Sequence, residues 1–299
     1  MTVGPSGPPG ARGASRPRGL WERVLLLGPP FAYILVLFVV PLGLIVSLAF
    51  FQRGRFGGVI YEPTLANFQR ALEPVYVNVV IDSVVIAGVT TVLALLIGFP
   101  TAWVIARLPP RWRVVALILV VLPFWTNFLI RTYAWIVLLN SEGLVNGTLR
   151  AAGLIDQPLG LLYTEGAVVA GLLYAYLPLM ILPLYSAIER LDPELREAAA
   201  NLGATPARTF LTVTLPLTLP GVLIGSIFVF VPSIGNFIIP ELLGGGKTVM
   251  VGNLIRDQFL KARDWPFGAV LAIAMILALL GLLVLQSYLS RRGEATADA

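Results

Sequence analysis

The sequence predicts an all-α integral membrane protein with about six transmembrane helices, and three observations support this prediction. Of the 299 residues, 57% are hydrophobic and only 12% are charged, about half the charged fraction of an ordinary soluble domain. Several apolar runs reach the roughly 20 residues that a helix needs to cross a bilayer. Arginines gather on alternate connections between these runs, which is typical of a multi-pass chain.

Residues 1–20 are rich in Gly, Pro, Ser and Arg without an apolar period, which predicts a disordered cytoplasmic tail. The membrane domain is expected over residues 21–292, with a short cytoplasmic tail at 293–299. Its predicted spans are residues 31–49, 79–106, 114–130, 168–187, 217–239 and 267–289.

A further apolar run, residues 133–139, is too short to cross about 30 Å of hydrocarbon. Its aromatic residues Tyr133 and Trp135 are typical of a membrane interface. The run is therefore predicted to be an interfacial helix, and the number of spans stays at six.

The distribution of charge orients the chain. With the N-terminus inside, the connections predicted to be cytoplasmic carry twelve arginines, whereas the outer connections hold nine basic and nine acidic residues. The shortest loop, with Arg107, Arg111 and Arg113 and no acid, agrees with the positive-inside rule. Both termini are therefore expected inside, and connections 50–78, 131–167 and 240–266 outside.

One cytoplasmic connection, segment 188–214, has the pattern of a soluble helix pair. Asp192 followed by proline predicts a capped helix start, and Gly203 suits the left-handed position after a helix end. Thr205 followed by proline predicts a second start. The segment should therefore fold as a short helix, a tight turn and a second helix that runs into the fifth span.

Three interpretations of segment 188–214 differ in function. It can be a plain connector, or a DNA-binding helix-turn-helix, whose alanines and glycine are similar. Its acidic residues outnumber its arginines, however, which opposes binding to phosphates. The third interpretation is a docking helix in which Ala198, Ala199 and Ala200 form a slim surface for a partner's groove.

The residues Glu197-Ala198-Ala199, then Gly203, then Val213-x-Leu215-Pro216 resemble the EAA loop of bacterial ABC importer permeases, with Val in place of the usual Ile. Three longer strings are similar to the spermidine/putrescine permease branch of that family. They are LPFWTNFLIRTYAW from Leu122, YLPLMILPLYSAIERLD from Tyr176 and NFIIPELLGGGKTVMVGNLI from Asn236. One departure is Asp82-Ser83, where related permeases often have Asn-Ser.

The resemblance implies the membrane domain of a type I ABC importer in the plasma membrane. In that family the loop docks into a cytoplasmic ATPase, so Glu197, Ala198, Ala199 and Gly203 are the expected ATPase-contact and turn residues. Two ATPase subunits, a second homologous permease and an extracytoplasmic solute-binding protein are the implied partners, without nucleic acid. ATP and Mg are then bound by the ATPase, and this chain needs no cofactor.

No enzyme is expected. The chain has no Cys and no His, which removes thiolate nucleophiles, the usual neutral-pH base and most zinc sites. The string GGGKT, residues 244–248, imitates a phosphate loop, but the first glycine of that motif is replaced by Glu241. The segment is also predicted outside, away from ATP.

Polar residues at membrane depth are candidates for a solute pathway. They are Asp82, Trp125, Asn127, Tyr133, Asn236 and Glu241. Carboxylates and aromatic faces suit a polyamine through Coulomb and cation–π attraction. Arg131 would repel such a solute and is assigned to structure or to contact with the binding protein. The alternatives are another small solute, such as an organic acid, phosphonate or ferric complex, or an ion-driven secondary transporter.

Overall fold

The computed structural model describes residues 28–297, with side-chain environments through residue 287. The predicted tail at 1–20 and residues 298–299 lie outside this part. The described chain is mostly helical. Its helices are α1 (Gly28–Leu48), α2 (Ala66–Ala71), α3 (Pro74–Arg107), α4 (Pro110–Val121), α5 (Phe128–Leu139), α6 (Leu144–Ala151), α7 (Glu165–Glu189), α8 (Pro193–Asn201), α9 (Pro206–Thr209), α10 (Leu215–Ile234), α11 (Ile238–Gly244), α12 (Val251–Leu260) and α13 (Trp265–Ala297).

Within the described residues, six helical stretches are long and apolar enough to cross a membrane, which confirms the predicted number. They are Gly28–Leu48, Pro74–Arg107, Phe128–Ala151, Glu165–Glu189, Pro206–Ile234 and Trp265–Ser287. Helix α1 belongs to a separate compact unit. Helix α13 continues through Ala297, into the residues predicted as the C-terminal tail.

The bundle has two distinguishable ends. At one end, Arg113 at the start of α4 pairs with Glu189 at the end of α7 at 2.7 Å, and segment 188–214 follows directly; we call this the segment end. The opposite loop end holds α2, α6, α12 and a two-stranded hairpin, β1 (Gln52–Arg53) with β2 (Val59–Ile60).

The third span differs from its prediction as one continuous helix over residues 114–130. After α4 the chain forms a 3-10 turn at Leu122–Trp125, breaks, and restarts as α5. Pro123 has no N–H for the helical ladder, and the Asn127 side chain caps α5 by accepting from the Leu129 and Ile130 amides at 2.8 and 3.4 Å. The restarted helix contains residues 133–139, so their prediction as a separate interfacial helix was wrong.

Packing shows that α4 and α5 are two halves of one crossing. Helix α3 stops at the segment end and α7 starts at the loop end, so the chain between them must cross once. Val120 of α4 packs in the apolar cluster of the segment end, with Met180 and Leu184. Trp135 of α5 packs in the cluster of the loop end, with Leu172. The third span is therefore a broken helix.

Small residues bring α3, α7 and α10 into close contact at the centre of the bundle. A Cβ atom at Gly98 would lie 2.9 Å from Met180 Cγ, and one at Gly221 would lie 2.5 Å from Ala187 Cβ. Close backbone approach at small residues is a common basis of helix association in membranes. These three helices form the central frame of the bundle.

Candidate functional site

Segment 188–214 begins with the predicted capped helix. Asp192 Oδ1 accepts the Glu194 amide at 2.9 Å at the start of α8. At the other end, the Gly203 amide donates to Ala200 O at 2.9 Å and the Ala204 amide to Ala199 O at 3.0 Å. This pair of bonds is a Schellman ending, and Gly203 has the positive φ of 80° that it requires.

The second start is also confirmed. The Thr205 hydroxyl accepts the Arg208 amide at 3.4 Å at the beginning of α9. Helix α9 has only four residues and passes through a π-helical turn, Phe210–Thr214, into α10. The chain from α9 to the fifth span is therefore one continuous rod with a single irregular turn.

Helix α8 presents an accessible face at the segment end. Glu197 is exposed and has no hydrogen bond or ion pair within the part of the chain that the structure describes. Ala198 is exposed, whereas Ala199 is half-buried. Leu202, directly after α8, is 89% exposed.

The second candidate site lies beside the break in the third span. Asn236 follows α10 and is buried there; its amide donates to the Tyr176 hydroxyl at 2.7 Å, and its oxygen accepts the Ile239 amide at 2.9 Å. A cavity of about 360 Å³ opens at this point, and Phe128, Tyr176 and Phe237 contribute aromatic surface to it. The fifth span thus ends, and α5 begins, beside a largely apolar cavity into which Asn236 and Tyr176 bring polar groups.

Of the predicted pathway residues, Asn236 lines this cavity and Asn127 caps α5, whose first residue lines it. Trp125 is 80% exposed and Tyr133 lies on an exposed face of α5. Asp82 is exposed on α3. Trp125, Tyr133 and Asp82 therefore do not line the cavity.

Glu241 is already neutralised by its neighbours at the loop end. Its carboxylate lies 2.8 Å from Arg256 and 3.7 Å from Lys261. The same two cations contact Asp257 at 2.7 and 3.0 Å. Burial alone would raise the pKa of Asp257, but hydrogen bonds from Arg256 and Lys261 outweigh it and hold that pKa below its ordinary value. The cluster joins α11 to α12.

Arg131 lies one turn into α5, among aromatic rings. Its guanidinium carbon is 5.8 to 5.9 Å from the ring centres of Phe124, Phe128 and Tyr174. Among the described residues, its buried Nε and Nη1 atoms have no hydrogen-bond partner. Aromatic faces stabilise such a cation, which agrees with the structural role expected for it.

Two residues of these sites were not predicted. Tyr176 is one of three tyrosines in the fourth span, with Tyr174 and Tyr185, and the sequence does not show which of them meets a polar partner. Ser83, beside Asp82, is buried; its hydroxyl accepts the Val251 amide at 2.8 Å and donates to Val79 O at 2.6 Å. It fixes the start of α12 against α3.

Comparisons with known proteins agree with this geometry. The family model described as "Binding-protein-dependent transport system inner membrane component" matches residues 23–293. The spermidine/putrescine transport system permease PotB of Haemophilus influenzae is 41% identical over 86% of this chain and 90% of its own. PotB of Escherichia coli K12 is 42% identical over 84% of this chain and 91% of its own.

Solved structures share the fold. The crystal structure of a bacterial ABC transporter involved in the import of the acidic polysaccharide alginate superposes with a TM-score of 0.73 at 17% identity. The match covers 91% of this chain and 96% of the other. The inward-facing MetNI methionine ABC transporter gives a TM-score of 0.53 at 16% identity, covering 74% and 98% of the two chains. The chain therefore belongs to the family of inner membrane components of binding-protein-dependent transport systems.

Proposed function

We propose that this chain is one permease subunit of an ATP-driven importer of polyamines such as spermidine and putrescine. The observation that carries the solute class is the 41% and 42% identity to two PotB permeases over most of both chains. The observation that carries the energy source is α8, a capped polar helix between two membrane spans with an accessible face. A separate polypeptide then hydrolyses ATP.

The exposed side chains of α8 are suited to a docking contact. Glu197 can pair with a basic group, and Ala198 leaves room for close approach into a partner's groove. The Schellman ending fixes the helix end, so a push on α8 is not absorbed by fraying. We infer that two ATPase subunits bind two such helices, one from this chain and one from a second homologous permease, with a binding protein delivering solute from outside.

The cavity beside the broken span is the proposed solute site. Its aromatic rings can hold ammonium groups by cation–π attraction, and the Tyr176 hydroxyl oxygen, which receives the Asn236 amide, keeps a second lone pair for an ammonium donor. Broken membrane helices recur at the midplane sites of transporters. Asp82, which is exposed, then acts outside this cavity, on the approach of the solute, whereas Glu241 is held by Arg256 and Lys261.

One observation favours a different solute. The guanidinium of Arg131, one turn from Phe128, has two buried nitrogens that lack an acceptor within the described residues, and an anionic group of an organic acid could supply one. Competition in liposomes that hold the complete transporter separates the two. Labelled spermidine should be displaced by putrescine and not by dicarboxylates or phosphonates. Displacement by an organic anion alone would replace the polyamine assignment.

A further inference from the structure

Helix α8 is attached to the membrane spans by few contacts besides the chain itself. Open space lies on both its sides: a cavity of about 470 Å³ includes Arg196 and Ala200 in its walls, and one of about 600 Å³ includes Leu195. Within residues 28–287, no ion pair joins α8 to a span. A side-chain contact that bridges this space should therefore couple the motion of α8 strongly to that of the spans.

One such link exists, and we call it the aromatic stack: Phe99, Trp103, Arg107, Arg196 and Phe210. Arg196 of α8 places its guanidinium carbon 5.2 Å from the centre of the Trp103 ring, and Arg107 lies 4.3 Å from the same centre. Trp103 belongs to the last turns of α3. The first connection therefore runs from α8 to the second span.

The stack continues to the π-helical turn. Trp103 stacks on Phe99 with the ring centres 6.3 Å apart and an interplanar angle of 19°. Phe99 in turn meets Phe210 edge to face, at 5.4 Å and 88°. Phe210 is the first residue of the π-helical turn between α9 and α10. The middle of α8 and the residue after α9 thus both contact one face of α3.

We propose that the aromatic stack transmits the displacement of α8 to α3, so that α8 and the second span move as one body during transport. This inference rests on the docking role proposed for segment 188–214. The fifth span follows through the π-helical turn, a helix form that often marks functional sites. Trp103 and Arg196 are positioning residues in this account, since they touch neither ATP nor solute.

The test measures spermidine uptake per ATP hydrolysed, a ratio that would not change if the stack only stabilised the fold. In liposomes with the complete transporter, Arg196→Gln should lower spermidine uptake per ATP hydrolysed about 2- to 5-fold, the range expected for one exposed cation–π contact. Trp103→Leu removes both cation–π contacts and the stacking on Phe99, so it should cause at least the same loss. Trp103→Phe and Arg196→Lys keep a ring and a cation and should restore most of the ratio.

The matched control is Arg111→Gln, an exposed arginine of the same end that lies outside the stack; it should leave uptake per ATP unchanged. ATPase association should equal that of the original chain in all stack variants, because Arg196 faces the bundle. Unchanged uptake per ATP in both Arg196→Gln and Trp103→Leu would overturn the stack's role. If Glu197→Lys left ATPase association and uptake normal, the docking role itself would fail.

A distance measurement covers the case in which Trp103→Leu does not fold. Because the chain has no cysteine, spin labels can be placed at cysteines introduced for Val104 on α3 and Asn201 on α8, with the stack intact. The label distance should be the same in the nucleotide-free and the vanadate-trapped transporter. A shift of several ångström between these states would contradict movement as one body.

Discussion

Asn236 and Tyr176 form a hydrogen bond of 2.7 Å between the end of the fifth span and the middle of the fourth. The same asparagine accepts the Ile239 amide, so it also orients α11. One buried amide thus joins three helices beside the proposed solute cavity. Loss of either partner leaves a buried polar group unsatisfied, at a cost of about 1–3 kcal/mol.

Tyr176→Phe tests this bond. We expect it to lower the free energy of unfolding by about 1–3 kcal/mol and to raise the KM for spermidine about tenfold. Thermal unfolding in detergent and uptake in liposomes measure the two effects. Tyr174→Phe is the control, because that hydroxyl has no side-chain hydrogen bond in the described region. Equal behaviour of the two variants would remove Tyr176 from the solute site.

Glu197→Lys reverses the charge of the accessible face of α8. We expect the spans to fold normally and the ATPase to co-purify at a small fraction of its usual amount, because a like charge now meets the partner's basic group. Uptake should fall in parallel. Normal association with normal uptake would show that Glu197 is not a contact.

Gly203→Val tests the turn separately from the face. A side chain here meets no atom within 4 Å, but it must adopt a φ of 80°, which costs about 1–2 kcal/mol for most residues. We expect weaker ATPase association than for Gly203→Asn, since asparagine tolerates this conformation. Indistinguishable association of these two variants would show that the Schellman ending is not needed for docking.

Gly221→Ala tests the packing of the central helices. The added Cβ would lie 2.5 Å from Ala187 Cβ and 2.9 Å from Pro183 O, so overpacking should cost about 1–3 kcal/mol. Gly88→Ala, where nothing lies within 4 Å, should be neutral or slightly stabilising. Thermal unfolding compares the two variants. A lower unfolding midpoint for Gly88→Ala than for Gly221→Ala would contradict the close packing at Gly221.

The cluster of Asp257 predicts a pH dependence of stability. Its folded pKa is lowered from 3.8, so its contribution is complete above 3.8 and is lost as pH falls through the lowered folded pKa. The difference in unfolding midpoint between the original chain and Asp257→Asn should stay constant between about pH 5 and pH 8 and shrink below about pH 4. A difference that changes near neutral pH would contradict this sign.

The sequence allowed the caps of α8 and α9 to be predicted because Asp192, Gly203 and Thr205 act on backbone atoms only a few residues away. The break in the third span escaped prediction because its flanks are apolar, and average hydropathy does not register a single capping asparagine. Whether a helix continues through Pro123 or restarts at Asn127 depends on packing of α4 and α5 against different clusters. That packing is set by residues far along the chain.

The candidate solute residues were predicted less well for the same reason. Glu241 was taken as an available carboxylate, but Arg256 lies beside it on the next helix. The role of Tyr176 follows only from its hydrogen bond to Asn236, sixty residues away in the sequence. Charge and polarity can be read locally, whereas the partners that satisfy them depend on how the helices meet.

Orientation can be tested by labelling, since the chain has no native cysteine. Lys247→Cys, exposed at the loop end, should react in intact cells with a maleimide that does not cross membranes. Ala207→Cys, exposed at the segment end, should react only after permeabilisation. The reverse pattern would invert the proposed topology and place α8 away from ATP.

The most direct measurement is spermidine uptake into liposomes that contain this chain either alone or with the second permease, the ATPase and the binding protein. We expect uptake only in the complete assembly and only when ATP is supplied on the side of the membrane that holds the ATPase. Glu197→Lys should abolish this uptake. Uptake by this chain alone, driven by an ion gradient and indifferent to ATP and to Glu197→Lys, would show that it is a secondary transporter.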